Sequence, residues 1–208
     1  MEKKYELLND DVKTIGSEKT YRIRALKDFL DVKNGDLGGY IAKEENLSHD
    51  GNAWVYGNAC VYGDAQVYGD AWVYDNARVC GNACVYGDAW VYDDACVCDS
   101  AQVCGNACVC GAADYMYIKG IGSQFCGSTA YRAKDDGIGI VCGCFSGNLD
   151  EFEQKVRQTH GENKFAQEYQ LFIEIIKLHF GECERGKQDG KENNGGNGEG
   201  DCTTAKRD

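Results

Sequence analysis

Thirteen cysteines, three histidines and a run of aspartates are the side chains of this 208-residue chain best suited to chemistry. Eight of the cysteines fall between Cys60 and Cys110; Cys80 and Cys98 lie 18 residues apart, and Cys96 stands two before Cys98. Thiolates held close together can bind zinc or an iron–sulfur cluster. The spacing argues against both: Cys96-x-Cys98 is not a C-x-x-C chelate, and residues two apart on a strand are separated by roughly 6–7 Å. Eight acids and one base lie in residues 51–114. Asp70 and Asp88, and likewise Asp75 and Asp93, are 18 apart, and stacked carboxylates can hold Ca²⁺. These positions alternate freely among Asp, Asn and Gly, which reads as solvated turns. Of His49, His160 and His179, only His49 lies near this segment. The last chemical feature is aromatic. Trp54, Trp72 and Trp90 are the only tryptophans, and Tyr56, Tyr74 and Tyr92 follow each by two residues. Such a row can dock a protein surface or stack a planar ligand.

The element that positions these residues is a repeat of six. Ala recurs at every sixth position from Ala53 to Ala113, and Val from Val55 to Val109. Within a hexad Ala-x-Val-x alternates, so Ala and Val share one face of a short strand. Gly or Asp followed by Asn, Asp or Ser supplies a corner. Strand and corner, repeated, wind a coil around an Ala/Val interior. The tryptophan period of 18, laid over the period of six, predicts three sides per turn. It also predicts that the Trp and Tyr rows point outward. Six such rings amount to on the order of 900 Å² of surface, more than a monomer leaves exposed. A cover for this face is therefore expected.

The Ala-x-Val-x-Gly-Asn/Asp register, about 63 residues, resembles the hexapeptide-repeat, left-handed β-helix family. The flanking segments RALKDF, GDLGGYI, ENLS and GCFSGNLDEFEQKV are similar to those of hexapeptide-repeat proteins of phages and prophages, whose function is undetermined and which are sometimes described as transferases by fold alone. The resemblance implies a mainly β protein: a left-handed parallel β-helix of about four coils with a small α+β C-terminal region. It also implies a homotrimer as one cover for the aromatic face; the chain's own C-terminal helix is the other main candidate. Acyltransferases of this family use a general-base His near the coil and a loop that breaks the repeat. Here only His49 qualifies, and the run from Gly51 to Ala113 is unbroken. The carbonic-anhydrase-like branch needs three His on a metal, and residues 51–159 contain none. Ice binding would call for Thr-rich rows, which are missing. The leading expectation is a non-catalytic assembly or binding module of phage or prophage type, with no cofactor and no metal. It would dock through Trp54, Trp72, Trp90, Tyr56, Tyr74 and Tyr92. The alternatives are a CoA-dependent acyltransferase with His49 as base, taking acetyl-CoA or another acyl-CoA, and a phage-encoded binder of a small host molecule. Outside the acyltransferase reading, His49 is expected to be an exposed turn residue.

Residues 1–50 read as a strand-rich cap. Tyr21–Leu26 alternates as a strand, Asn34-Gly35 and Gly38-Gly39 mark turns, and Ile41 and Leu47 extend the Ala register backwards into an irregular first coil. Residues 115–180 hold a strand at Tyr115–Ile118, a hairpin with arms at Thr129–Lys134 and Ile138–Phe145, and two helices. Ser146 or Asn148 can cap the first helix, which buries Leu149, Phe152 and Val156 and stops at Gly161. The second carries an apolar stripe at 165, 169, 172, 173, 176 and 180. Residues 181–208 have no aromatic residue and too little apolar surface to order themselves. A net charge of −12 without a basic cluster disfavours nucleic acid and anionic membranes as partners. No apolar stretch is long enough to span a membrane and no signal core follows Met1, so a cytoplasmic protein with reduced thiols is expected. Cysteine at 80, 98, 104 and 110, where other hexads have Tyr, reads as drift within the repeat.

Overall fold

A computed structural model describes residues 2–135 and 137–181. The expectation for residues 182–208 lies outside the described residues.

β1 (Tyr5–Ile15) and β2 (Glu18–Ala25) form an antiparallel hairpin, and β3 (Leu37–Ile41) pairs antiparallel with β2. Two-residue strands then follow every six residues. They are β4 (Trp54–Val55), β5 (Cys60–Val61), β6 (Gln66–Val67), β7 (Trp72–Val73), β8 (Arg78–Val79), β9 (Cys84–Val85), β10 (Trp90–Val91), β11 (Cys96–Val97), β12 (Gln102–Val103) and β13 (Cys108–Val109). β4 to β10 each pair in parallel with the strand 18 residues on: Trp54 with Trp72, Cys60 with Arg78, Gln66 with Cys84. The result is a three-sided parallel solenoid of four coils, with sides β4-β7-β10-β13, β3-β5-β8-β11, and β6-β9-β12 continued by a bridge from Leu47 to Val67. Every Ala from Ala53 to Ala107 and every Val from Val55 to Val109 is buried.

The corners follow from backbone sterics. Gly57, Gly63, Gly69, Gly81, Gly87 and Gly105 all have positive φ, and Asp75, Asp93 and Asp99 occupy the same corner slot at φ 57, 53 and 61. Asp is one of the few side chains that tolerates this region. At Gly51 a Cβ would also lie 2.5 Å from the Gly69 carbonyl oxygen, so the tight stacking of corners excludes any side chain there.

Two expectations for the first coil are corrected. Ile41 pairs with Val61 and Leu47 with Val67, so both take the Val position of the repeat. A branched side chain fits that position, whereas the Ala position has room only for a methyl group. The register is restored by two extra residues between Leu47 and Ala53, a stretch that includes His49. Gly38 and Gly39 form no turn: they lie inside β3, where a Cβ would sit 2.5 Å from Ile23 and 2.6 Å from Val55, respectively.

The C-terminal region is a four-stranded antiparallel sheet of β14 (Tyr115–Lys119), β15 (Gly127–Arg132), β16 (Ile138–Cys142) and β17 (Phe145–Asn148), followed by α1 (Leu149–His160) and α2 (Lys164–Gly181). The expected second hairpin arm is thus two strands, reversed at Gly143 (φ +58) and Cys144. Asn148 caps α1 in a reciprocal capping box with Glu151, and Gly161 ends the helix. Alternation along β15 and β16 separates two faces. Tyr131 and Val141 join the Ala/Val core of the coil. Ala130, Ile140 and Cys142 pack with Phe152, Val156, Tyr169, Phe172, Ile173, Ile176 and Phe180. The sheet is therefore a lid on the last coil, and both helices lie on its far side. The buried stripe of α2 begins at Ala166 rather than Phe165 and faces the sheet, so the expected cover of the Trp row by the C-terminal helix is not formed.

Candidate functional site: the aromatic rows and the two ends of the solenoid

A parallel solenoid has two chemically different ends. In the ladders the N–H groups on either side of each Val donate one coil forward, as in Trp54 N to Ala71 O at 3.0 Å and Tyr56 N to Val73 O at 2.8 Å, while several Ala N–H groups close local turns, as in Ala59 N to Tyr56 O at 3.1 Å. The first coil consequently presents carbonyls without ladder partners, and the last coil presents amides. The flanking segments satisfy each in kind. At the carbonyl end, Lys4 Nζ donates to Ala53 O at 2.8 Å, Tyr5 OH to Leu47 O at 2.6 Å, and Asn46 Nδ2 to Ala65 O at 2.8 Å. All three residues are fully buried. At the amide end, Thr129 Oγ1 accepts from Gln102 N at 2.9 Å, and the Asp114 carboxylate accepts from the N–H groups of Cys110 and Gly111, both at 3.0 Å. Buried polar backbone groups need such partners. Burial pushes the Lys4 ammonium from 10.5 down to about 8.

His49 sits at the carbonyl end. Its Nδ1 accepts from the Lys4 N–H at 3.2 Å, its ring stacks on Tyr5 at 4.3 Å, and its Nε2 is 3.7 Å from Glu44 Oε2 without a hydrogen bond. It is a packed member of the cap, not the exposed turn residue expected from the sequence. The acceptor role of Nδ1 assigns the proton of the neutral ring to Nε2.

The Trp row follows the predicted spacing, but little of it is bare. Trp54 is 1% exposed, covered edge-on by Phe29 at 5.3 Å and Tyr5 at 6.1 Å. Trp72 and Trp90 stack at 6.1 Å and 17°, and Tyr56 leans on Trp72 at 5.4 Å. Lys134, just beyond β15, places its ammonium 3.8 Å over the Trp90 ring and donates to Asp88 O at 2.6 Å. The row thus ends in the N-terminal cap on one side and in a cation–π contact on the other. Tyr74 and Tyr92 stack at 5.0 Å. The row presents less surface than six separate rings would, because Trp72 and Trp90, and Tyr74 and Tyr92, stack on one another's faces; all four are half-buried. A second row has the same 18-residue spacing: Tyr68 and Tyr86 stack at 4.9 Å and 2°.

The cysteines in the Tyr slot also change meaning. Tyr131 OH lies 3.3 Å from Cys104 Sγ, and Tyr115 OH lies 3.6 Å from Cys98 Sγ and donates to Cys96 O at 2.8 Å. The lid therefore supplies its own tyrosines where the coil has small residues, and at positions 98 and 104 drift is replaced by fit. Burial raises the thiols of Cys60, Cys84, Cys96 and Cys126, and Cys110 rises to about 11, with Asp114 beside it. Such thiols are poor nucleophiles. Among the described residues, no group of three or more His, Cys, Asp or Glu is arranged to hold a metal ion. The corner carboxylates meet amides instead, as in Asn52 Nδ2 to Asp70 at 2.8 Å and Asn76 Nδ2 to Asp94 at 3.4 Å. A cavity of about 270 Å³ lies between the Gly105–Asn106 corner and the lid, lined by Tyr131, Ser146 and Asn148. No described helix is long and apolar enough to cross a membrane.

Comparison with known families places the repeat. Residues 53–69, 65–79 and 77–93 match the YdcK beta solenoid repeat. The chain is a β-solenoid repeat protein. No curated protein matches the chain. The matched residues of the solenoid contain Trp54, Trp72 and Trp90 but neither cap, so the end chemistry described above belongs to flanks that the repeat does not include.

Proposed function

We propose that the chain is a non-catalytic hexapeptide-repeat solenoid of phage or prophage type that works as an assembly or binding module, docking through the side that carries Trp72, Trp90, Tyr74 and Tyr92. One observation carries this reading: the groups suited to chemistry already hold the fold together. The faces of His49 and the Trp row are engaged by the caps and by neighbouring rings, and the coil runs from Gly51 to Ala113 with no protruding loop. What remains outward is a rigid, flat side with aromatic edges, the residue types that dominate protein interfaces. Its surroundings are acidic, so a protein surface suits it better than a nucleic acid.

The test combines oligomeric mass by light scattering with calorimetric titration of acetyl-CoA. The proposal expects no saturable acetyl-CoA binding, and an assembly through this side that is lost in the double variant Trp72→Ser/Trp90→Ser. Saturable acetyl-CoA binding, with turnover abolished in His49→Ala, would overturn it in favour of the acyltransferase reading.

A further inference from the structure

The side of the coil that carries Trp72, Trp90, Tyr74 and Tyr92 is bounded by two rows of corners. Asp70 and Asp88 stand at the corners before the tryptophans, and Asp75, Asp93 and Asp94 at the corners after the tyrosines; all are exposed. Asp70, Asp75, Asp93 and Asp94 form no ion pair among the described residues. Successive corners are one coil, roughly 4.8 Å, apart, so these charges repel one another along the coil. The effect shows at Asp93, whose carboxyl is raised by burial and then by Asp75 and Asp94. The side is thus an aromatic strip between two rows of negative charge.

The chain's own flanks show what such corners accept. Lys43 Nζ reaches the Asp64 carboxylate at 2.5 Å and holds that carboxyl below its usual value. Lys13 Nζ donates to Asn58 Oδ1 at 3.0 Å in the first coil. Lys134 Nζ donates to Asp88 O at 2.6 Å while lying 3.8 Å over the Trp90 ring, so it joins a corner and the aromatic strip in one contact. Three times a lysine from a flank is laid on a corner, and the corners in the middle of the aromatic side carry carboxylates with none.

We propose that this side takes a basic segment of another protein, with Lys or Arg heads on the corner carboxylates and their alkyl stems on the aromatic strip. The inference rests on the reading that this is the docking side and adds the chemistry of the partner. Charge complementarity selects it. Bound bases relieve the repulsion between Asp75 and Asp93, whereas an acidic surface or a nucleic acid would add to it. Contacts of this kind are screened by salt.

Calorimetric titration of the full chain with a short synthetic peptide of alternating Lys and Ala tests this, with a Glu/Ala peptide as control. The expected result is saturable binding of the lysine peptide, with a Kd on the order of 100 μM at low salt, and none of the glutamate peptide. Binding weakens roughly tenfold between about 20 mM and about 200 mM salt. Asp75→Asn/Asp93→Asn keeps residues tolerant of the left-handed corner and weakens binding about fivefold or more. Asp64→Asn/Asp99→Asn removes the same charge from corners that do not border this side, and leaves binding within about twofold. No binding, binding insensitive to salt, or equal weakening in the two double variants overturns the inference. Trp72→Ser/Trp90→Ser separates it from the reading it rests on. If the chain alone assembles, loses that assembly in this variant and does not bind the lysine peptide, the docking side stands and the basic partner is overturned. If the variant binds the peptide as tightly as wild type, the aromatic side is overturned and the inference with it.

Discussion

Lys4 ties the N-terminal cap to the carbonyl end of the coil, and its burial makes the stability of that end depend on pH in an unusual direction. Buried lysines are costly when charged, and Lys4 is 0% exposed with its ammonium against Ala53 O and Gly51 O. Its folded pKa is lowered from 10.5 to about 8. Below about pH 8 the group is charged in both folded and unfolded chains, and the full burial penalty is present. Between about 8 and 10.5 the folded chain releases a proton that the unfolded chain keeps, so this group's contribution to stability rises with pH; above 10.5 it is level. The whole change is about 3 kcal/mol, and about 2 kcal/mol of it falls between pH ~7 and pH ~9.5. Lys4→Met removes the titration while keeping a long apolar stem. The assay is urea unfolding followed by Trp fluorescence, since Trp54 lies in the same cap. It also suits a solenoid, whose ends can unfold separately. The quantity to measure is the stability of wild type minus that of Lys4→Met, in which every other titrating group cancels. The reasoning is refuted if this difference stays level or falls from pH ~7 to pH ~9.5.

Other groups act with the opposite sign. Tyr62 is pushed from 10.0 to about 12 and Cys110 from 9.0 to about 11, chiefly by burial. Because the fold favours their neutral forms, their support is complete below about pH 9 and is lost as pH rises towards the folded values, so Lys4→Met is expected to unfold progressively in alkaline titrations monitored by circular dichroism. Cys104→Tyr restores the repeat consensus yet should cost about 2–3 kcal/mol in chemical denaturation, because Tyr131 already fills that space; equal or greater stability would show that the lid does not depend on the small residue. Gly122→Ala is expected to lower stability by about 2 kcal/mol or more in the same assay, since Gly122 has φ +70 and its Cβ would lie 2.0 Å from the Tyr169 hydroxyl. Asp93→Asn keeps a residue tolerant of the left-handed corner and removes a carboxylate raised by burial and by Asp75 and Asp94, so a gain of up to about 0.5 kcal/mol should appear as a small rise in Tm.

The solenoid was legible from Ala53 to Val109 because its constraints are local and repeated. A methyl group must fit each Ala position, a branched side chain each Val position, and a left-handed backbone each corner. The same translation that stacks coils sets Trp72 beside Trp90 and Tyr74 beside Tyr92, so the rows could be read from spacing alone. Capping of α1 by Asn148 and its end at Gly161 were equally local. The exposure of the rows was not legible, because it depends on how far neighbouring rings cover one another and on Phe29 and Lys134, which lie many residues away in sequence.

The amino-acid sequence by itself thus determined the coil, its period, its three sides and its outward rows, each written once per hexad. Tertiary structure decided what closes the coil. Lys4, Tyr5, Asn46, Asp114 and Thr129 recur in no pattern, and each meets carbonyls or amides at an end of the coil, where the ladder stops. Structure also decided that His49 is packed into a cap, that α2 lies behind the lid instead of on the Trp row, and that Cys98 and Cys104 make room for Tyr115 and Tyr131. A repeat states its own interior because every copy obeys the same sterics, whereas an end is a single event settled by contacts between segments far apart in the chain.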